Sequence, residues 1–155
     1  MNTRAQYIQS IKDEMITVCD GTKLFPSVMI AQGCLESNNG NSELSLKYHN
    51  HFGIKPGVSW KGPTINLPTK EYIAGQPRMV PDYFRVYASL QECFADHIRL
   101  LQTVPCYRLA GLFDCTSPEG QCQTLRKAGY ATDPGYPGKL ISIINENFLK
   151  EYDPK

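Results

Sequence analysis

No apolar run in the sequence approaches the roughly 20 residues that a bilayer-spanning helix needs. Met1 leads into polar Asn-Thr-Arg-Ala-Gln, not into the apolar stretch of a signal peptide. The expectation is a chain with no membrane insertion, either made in the cytoplasm or cut from a longer protein. Net charge is only +1, so no strong field points to nucleic acid. Six cysteines are present but none forms a C-x-x-C pair, which argues against a structural zinc site. Neither a metal nor a cofactor is expected. Cys34 and Cys93 fall in apolar helical patterns and read as buried thiols, while Cys106, Cys115 and Cys122 lie where one bridge is conceivable. Repeats and linkers are missing, so residues 1–155 read as a single domain and a monomer.

Helical patterning is what the sequence does have. Ala5, Ile8, Ile11, Met15, Ile16 and Cys19 form one stripe behind Thr3, a candidate N-cap. A second helix begins near Pro26, with Val28, Ala31, Cys34 and Leu35 on a face expected to be buried, and stops at Asn38-Asn39-Gly40. A short helix is expected over Ser42–His49. The middle changes character: Thr64–Ala74 and Arg78–Tyr87 read as arms of a hairpin around Gly75-Gln76. Pro68 and Pro81 make it an irregular, exposed edge. Ser89-Leu-Gln-Glu92 is a capping box that opens a helix to about Gln102. Ser117-Pro118 opens another, closed by Gly129, and a last helix carries Leu140, Ile141, Ile144, Phe148 and Leu149. The expected fold is mainly α, a helical body with a small β-hairpin lobe that together make a cleft.

Two carboxylates stand out. Met29, Gln32, Gly33 and Glu36 share a helical face beside the buried one, so Glu36 belongs at the border of core and cleft. Partial desolvation there raises a carboxyl pKa, as a general acid requires. Glu71 lies in the first hairpin arm, in Thr69-Lys70-Glu71-Tyr72. A carboxylate on the body and another on the lobe would straddle a cleft in the way glycoside hydrolysis uses pairs of them. Glu71 reads equally as a cross-strand partner for a cation such as Arg85.

The motifs resemble glycoside hydrolase family 73, the bacterial β-N-acetylglucosaminidases of autolysins, flagellar muramidase-like proteins and phage lysins. The resemblance rests on Ala31-Gln32-Gly33-Cys34-Leu35-Glu36-Ser37, on Asn50-His51-Phe52-Gly53-Ile54-Lys55, and on Phe84-Arg85-Val86-Tyr87 with Ser89. A fourth match is Ala128-Gly129-Tyr130-Ala131-Thr132-Asp133-Pro134 with Tyr136 and Lys139. All stand in the family's order, from Pro26 to Leu149. Gly33-Cys34 in place of Ala-Ala, and the histidines at 49 and 51, depart from the usual pattern.

The resemblance implies a lysozyme-like α+β fold. It also implies hydrolysis of the peptidoglycan bond between N-acetylglucosamine and N-acetylmuramic acid, with glycan strands as the partner and the bacterial cell wall as the place of action. It makes Glu36 the catalytic acid, Glu71 a second carboxylate on the lobe, and Tyr130 a support for the reacting sugar. Gln32, Asn50, Phe52, Lys55, Asp133 and Tyr136 are candidate substrate contacts, joined by Trp60 and Tyr72 as rings for stacking or packing. A lytic transglycosylase or muramidase on a similar body is the second reading, and a non-catalytic wall-binding module the third. Cys34 with His49 or His97 raises a cysteine amidase, disfavoured because Cys34 falls on the buried face.

Overall fold

The computed structural model describes residues 1–155. Seven α-helices follow in order as α1 (Arg4–Cys19), α2 (Pro26–Glu36), α3 (Glu43–Tyr48), α4 (Leu90–Thr103), α5 (Pro105–Leu109), α6 (Pro118–Lys127) and α7 (Tyr136–Glu146). Four short strands, β1 (Thr64–Asn66), β2 (Thr69–Ile73), β3 (Gln76–Val80) and β4 (Tyr83–Arg85), stand between α3 and α4. Local chemistry sets the helix starts. Thr3 and Gln6 form a reciprocal capping box on α1, while Ser42, Ser89 and Ser117 each accept a bond from a backbone N–H of the first turn.

Helix α2 is the centre of the body. Each residue from Pro26 to Cys34 is buried, enclosed by α1, α6, α7 and the 3₁₀ turn Leu149–Tyr152. It is not the two-faced helix that the Val28, Ala31, Cys34 pattern suggests, because Met29, Ile30 and Gln32 are buried as well. A helix apolar all round belongs in an interior. Its first turn has no side-chain cap of its own. The carboxylate of Asp153 accepts instead from the Ser27 N–H at 2.8 Å and from its hydroxyl at 2.6 Å, satisfying end groups that would otherwise be orphaned.

The lobe is one hairpin built as two ladders in series. At its base β1 pairs antiparallel with β4, and at its tip β2 pairs with β3. Pro68 and Pro81 lie at the break between them, where neither offers an N–H to a ladder. The tip turns on Ala74 and Gly75, both at positive φ, a two-residue connection one position before the expected Gly75-Gln76. Two other expectations shift. Pro105 starts a short helix, α5, that the sequence pattern does not announce. The last helix ends at Glu146, so Phe148 is exposed and in the left-handed region rather than on the buried stripe.

One buried polar cluster ties the lobe to the body. Arg85 at the end of β4 is paired with Asp96 of α4 at 2.8 Å, with both side chains almost fully buried. Arg85 also donates to the carbonyls of Lys55 and Pro56, and the Tyr87 hydroxyl and Arg99 donate to Asp96. Burial alone would raise the Asp96 carboxyl, but the bonds from Tyr87, Arg99 and Arg85 outweigh it and hold it below the ordinary value. A depressed carboxyl stabilises the fold above its unfolded pKa and loses that contribution as pH falls through the folded value. Asp96→Ala, which leaves Arg85 buried and unpaired, should therefore cost about 3–5 kcal/mol in equilibrium denaturation at neutral pH. Its penalty should shrink below about pH 4, where the unfolded carboxyl takes up a proton.

Candidate active site

The end of α2 is where the central helix reaches solvent. Leu35 and Glu36 emerge into a cavity of about 530 Å³ walled by Phe52, His97, Tyr107, Tyr130, Tyr136 and Lys139, among others. Glu36 is the only Asp or Glu in that wall. Its side chain is open to solvent at the cavity mouth and only partly enclosed by the wall. This enclosure raises its carboxyl above the ordinary value, and a hydrogen bond from Tyr136 opposes the rise.

A chain of hydrogen bonds runs from α4 to this carboxyl. His97 Nε2 lies 3.0 Å from Gln32 Oε1. Gln32 Nε2 donates to the Tyr136 hydroxyl at 3.0 Å. Tyr136 donates in turn to Glu36 Oε1 at 3.2 Å. Stacked rings form the wall around it: Phe52 lies parallel to His97 with centroids 3.8 Å apart, and Tyr130 stacks on Tyr136 at 5.8 Å. Tyr130 follows Gly129, whose φ of +95° turns the chain at the end of α6. Its pKa is pushed up by burial first, then by Tyr136 and Glu36, so its hydroxyl keeps its proton.

The predicted site residues separate into three groups. Glu36, Phe52, Tyr130 and Tyr136 meet at the cavity. Gln32 and Asn50 are too buried to be substrate contacts, a correction to the motif-based expectation. Gln32 serves the chain just described, and Asn50 bonds the Ile54 and Arg85 carbonyls and the Ile54 N–H, locking the loop beneath the lobe.

The third group stands outside the cavity wall. Asp133 accepts from Lys139 and from the Gly135 N–H, shaping the entry to α7, and Lys55 pairs with Asp82. Trp60, half-buried, packs on Tyr87 and Arg85 with its indole N–H on the Pro63 carbonyl. Glu71 and Tyr72 are exposed on β2. Glu71 lies opposite Arg78, not Arg85, in the ladder register.

His97 is the residue that sequence reading undervalued. Its signal was a histidine on the buried stripe of α4 with Phe94, Ile98 and Leu101. The amidase reading gains nothing: Cys34 is buried and its thiol is pushed up to about 11, chiefly by burial. All six cysteines are free.

The sequence profile of the glucosaminidase family, described as mannosyl-glycoprotein endo-β-N-acetylglucosaminidase, matches residues 12–149. The chain belongs to this family. It is 37% identical over 123 residues to the peptidoglycan hydrolase FlgJ of Escherichia coli (strain K12), covering 77% of this chain and 39% of that one. It is 36% identical over 159 residues to a probable N-acetylmuramidase of Lactococcus lactis, covering 98% and 35%. The chain thus spans well under half the length of either relative. Among solved structures, the catalytic domain of the autolysin Auto from Listeria monocytogenes superposes with a TM-score of 0.84 at 31% identity, covering 99% of this chain and 90% of that one. The fold of this glucosaminidase-family chain is therefore the lysozyme-like one, a helical body with a β lobe.

The raised Glu36 carboxyl has a consequence for stability. A carboxyl with a raised folded pKa binds its proton more tightly when folded, so stability declines as pH rises from the unfolded pKa through the folded one. Glu36→Gln removes the partly desolvated charge. The variant should melt higher than wild type at pH 7, with the gain vanishing toward pH 4, near the unfolded value for Glu of about 4.3. Thermal melts at the two pH values check it; equal melting temperatures at pH 7 would contradict the desolvated carboxyl.

Proposed function

We propose that this chain is a single catalytic domain of a peptidoglycan hydrolase, an endo-β-N-acetylglucosaminidase that cleaves the β-1,4 bond between N-acetylglucosamine and N-acetylmuramic acid. The observation that carries the proposal is Glu36: one partly desolvated carboxyl in the wall of an aromatic cavity, held by Tyr136. Such a group keeps a proton at a pH where an ordinary glutamate has lost it, and can give it to the leaving oxygen as the glycosidic bond breaks. The cavity's tyrosine rings suit sugar faces, while their hydroxyls suit the polar edges.

The positive charge that develops at the sugar needs a second group. With Glu36 the lone carboxyl in the wall, two sources are open. One is the substrate's own 2-acetamido oxygen, which Tyr130 would orient from its place beside Tyr136. The other is Glu71, carried in by a movement of the lobe tip to activate water. Glu71 is exposed on the lobe tip, opposite Arg78 in the ladder, so this route depends on movement of the tip.

A muramidase is the competing reading, favoured by the name of the Lactococcus relative. Mass spectrometry of fragments from purified peptidoglycan separates them. Reducing N-acetylglucosamine ends are expected; reducing muramic acid would make the domain a muramidase, and 1,6-anhydro ends a transglycosylase. Glu36→Gln should lower turnover by ~10²–10⁴ while wall binding persists. Retention of more than about a tenth of the rate would remove Glu36 from the acid role.

The two sources of charge stabilisation predict different variants. If the acetamide acts, Glu71→Gln keeps near-normal kcat, whereas Tyr130→Phe lowers kcat with its melting temperature unchanged. If Glu71 activates water, the first variant is the slow one. A fully active Tyr130→Phe would show that the ring only packs.

A further inference from the structure

We infer that His97 is a positioning residue for Glu36: acting through Gln32, it fixes the direction in which the Tyr136 hydroxyl points its proton. The inference rests on the proposed role of Glu36 as the acid. The chain His97–Gln32–Tyr136–Glu36 joins α4, α2 and α7 through three bonds of 3.0, 3.0 and 3.2 Å.

The members of this chain are not symmetric. An amide oxygen only accepts and an amide nitrogen only donates, whereas a hydroxyl does both. Gln32 is fully buried, so its amide must find its partners inside. With Oε1 toward His97, the imidazole must carry its proton on Nε2. Gln32 Nε2 then donates to the Tyr136 oxygen, and the single Tyr136 proton is left for Glu36 Oε1. The acid's own proton therefore resides on Oε2.

The reverse direction is equally complete on paper. With the amide turned over, Tyr136 would donate to Gln32, and Glu36 would donate its proton back to Tyr136. That proton would then be held inside the protein, away from a leaving oxygen. The tautomer of His97 selects between the two directions.

His97 is suited to the task. It is almost fully buried, clamped face to face by Phe52 at 3.8 Å and met edge-on by Tyr130 at 5.9 Å. Burial lowers its pKa to about 3, so it stays neutral, with one proton on one nitrogen. The other titratable groups in the cavity with Glu36 are Tyr136 and Lys139 of α7, Tyr130 of the following wall, and Tyr107 of α5. Lys139 is paired with Asp133.

Two experiments test this. The first is ¹⁵N NMR of the histidines in the wild-type protein. His97 should show the Nε2–H tautomer throughout the working pH range, and an Nδ1–H tautomer would overturn the inference without any variant being made. The second is kcat, KM and the pH–rate profile on purified peptidoglycan. His97→Leu should lower kcat about tenfold, as for one lost hydrogen bond, with KM little changed. Its alkaline limb should move up by ~0.5–1 pH unit, because the bond from Tyr136 to the carboxylate is weakened. His97→Gln, which offers an N–H near the place of Nε2, should recover most of both. In a Tyr136→Phe background, His97→Leu should add little further loss.

A kcat loss that follows melting temperature, with the alkaline limb unmoved or the two losses simply multiplying, would make His97 a packing residue only. Failure of the underlying reading looks different: Glu36→Gln would then stay active.

Discussion

Burial of α2 from Pro26 to Cys34 is the constraint from which the rest of the molecule follows. A helix enclosed on all sides must satisfy every polar group it carries without water. The N–H and hydroxyl of Ser27 are served by Asp153, drawn from the far end of the fold. Gln32 is served by α4 and α7 together. The demands of one helix thus bring α4, α7 and the chain after the 3₁₀ turn to their places. Glu36 stands where that enclosure ends. Its position is set by the best-packed element of the protein, and rigid placement is what a proton donor needs when misplacement of an ångström is costly.

The lobe is held differently. Its base is welded to the body through Arg85, Asp96, Tyr87 and the Asn50 loop, all buried. Beyond the two prolines nothing comparable holds it: Tyr72, Ile73 and Met79 are exposed and the tip ladder pairs only with itself. Few buried contacts and exposed backbone bonds mark a segment that opens at low free energy. The two carboxylates therefore stand on supports of opposite character, Glu36 on the core and Glu71 on the loosest part of the fold.

Much of this was legible along the chain because the determining chemistry is local. Thr3, Ser42, Ser89 and Ser117 cap the helices they precede in the sequence, and Gly129 marks the turn that presents Tyr130. What could not be read depends on partners distant in sequence. Gln32 and Asn50 lie inside motifs that surround the site, and motif membership suggested contact with substrate. Besides the Ile54 backbone next to Asn50, their amides meet groups 104, 65 and 35 positions away, which no local pattern reveals. Burial of Met29 and Ile30 was missed for the same reason: whether a helix is covered on one side or on all depends on how many neighbours pack against it. The single-residue shift of the lobe turn is smaller in kind, since Ala74 adopts a positive φ that a local reading assigns to glycine.

The opposing influences on Glu36 explain why an acid should sit at the end of a hydrogen-bonded chain rather than in a plain apolar pocket. Burial alone favours the protonated form without limit, and a carboxyl raised too far becomes a poor proton donor. A donor aimed at one oxygen stabilises the carboxylate that remains after transfer, and so returns part of the acidity that burial removed. Tyr136 supplies that bond while keeping its own proton, since burial and the neighbouring carboxyl push its pKa up. The balance would be lost if the hydroxyl were free to turn, because it could then accept from Glu36 as readily as donate to it. Fixing a hydroxyl in an interior requires a partner whose polarity cannot reverse, and an amide anchored by a neutral, clamped imidazole meets that requirement with no charge buried.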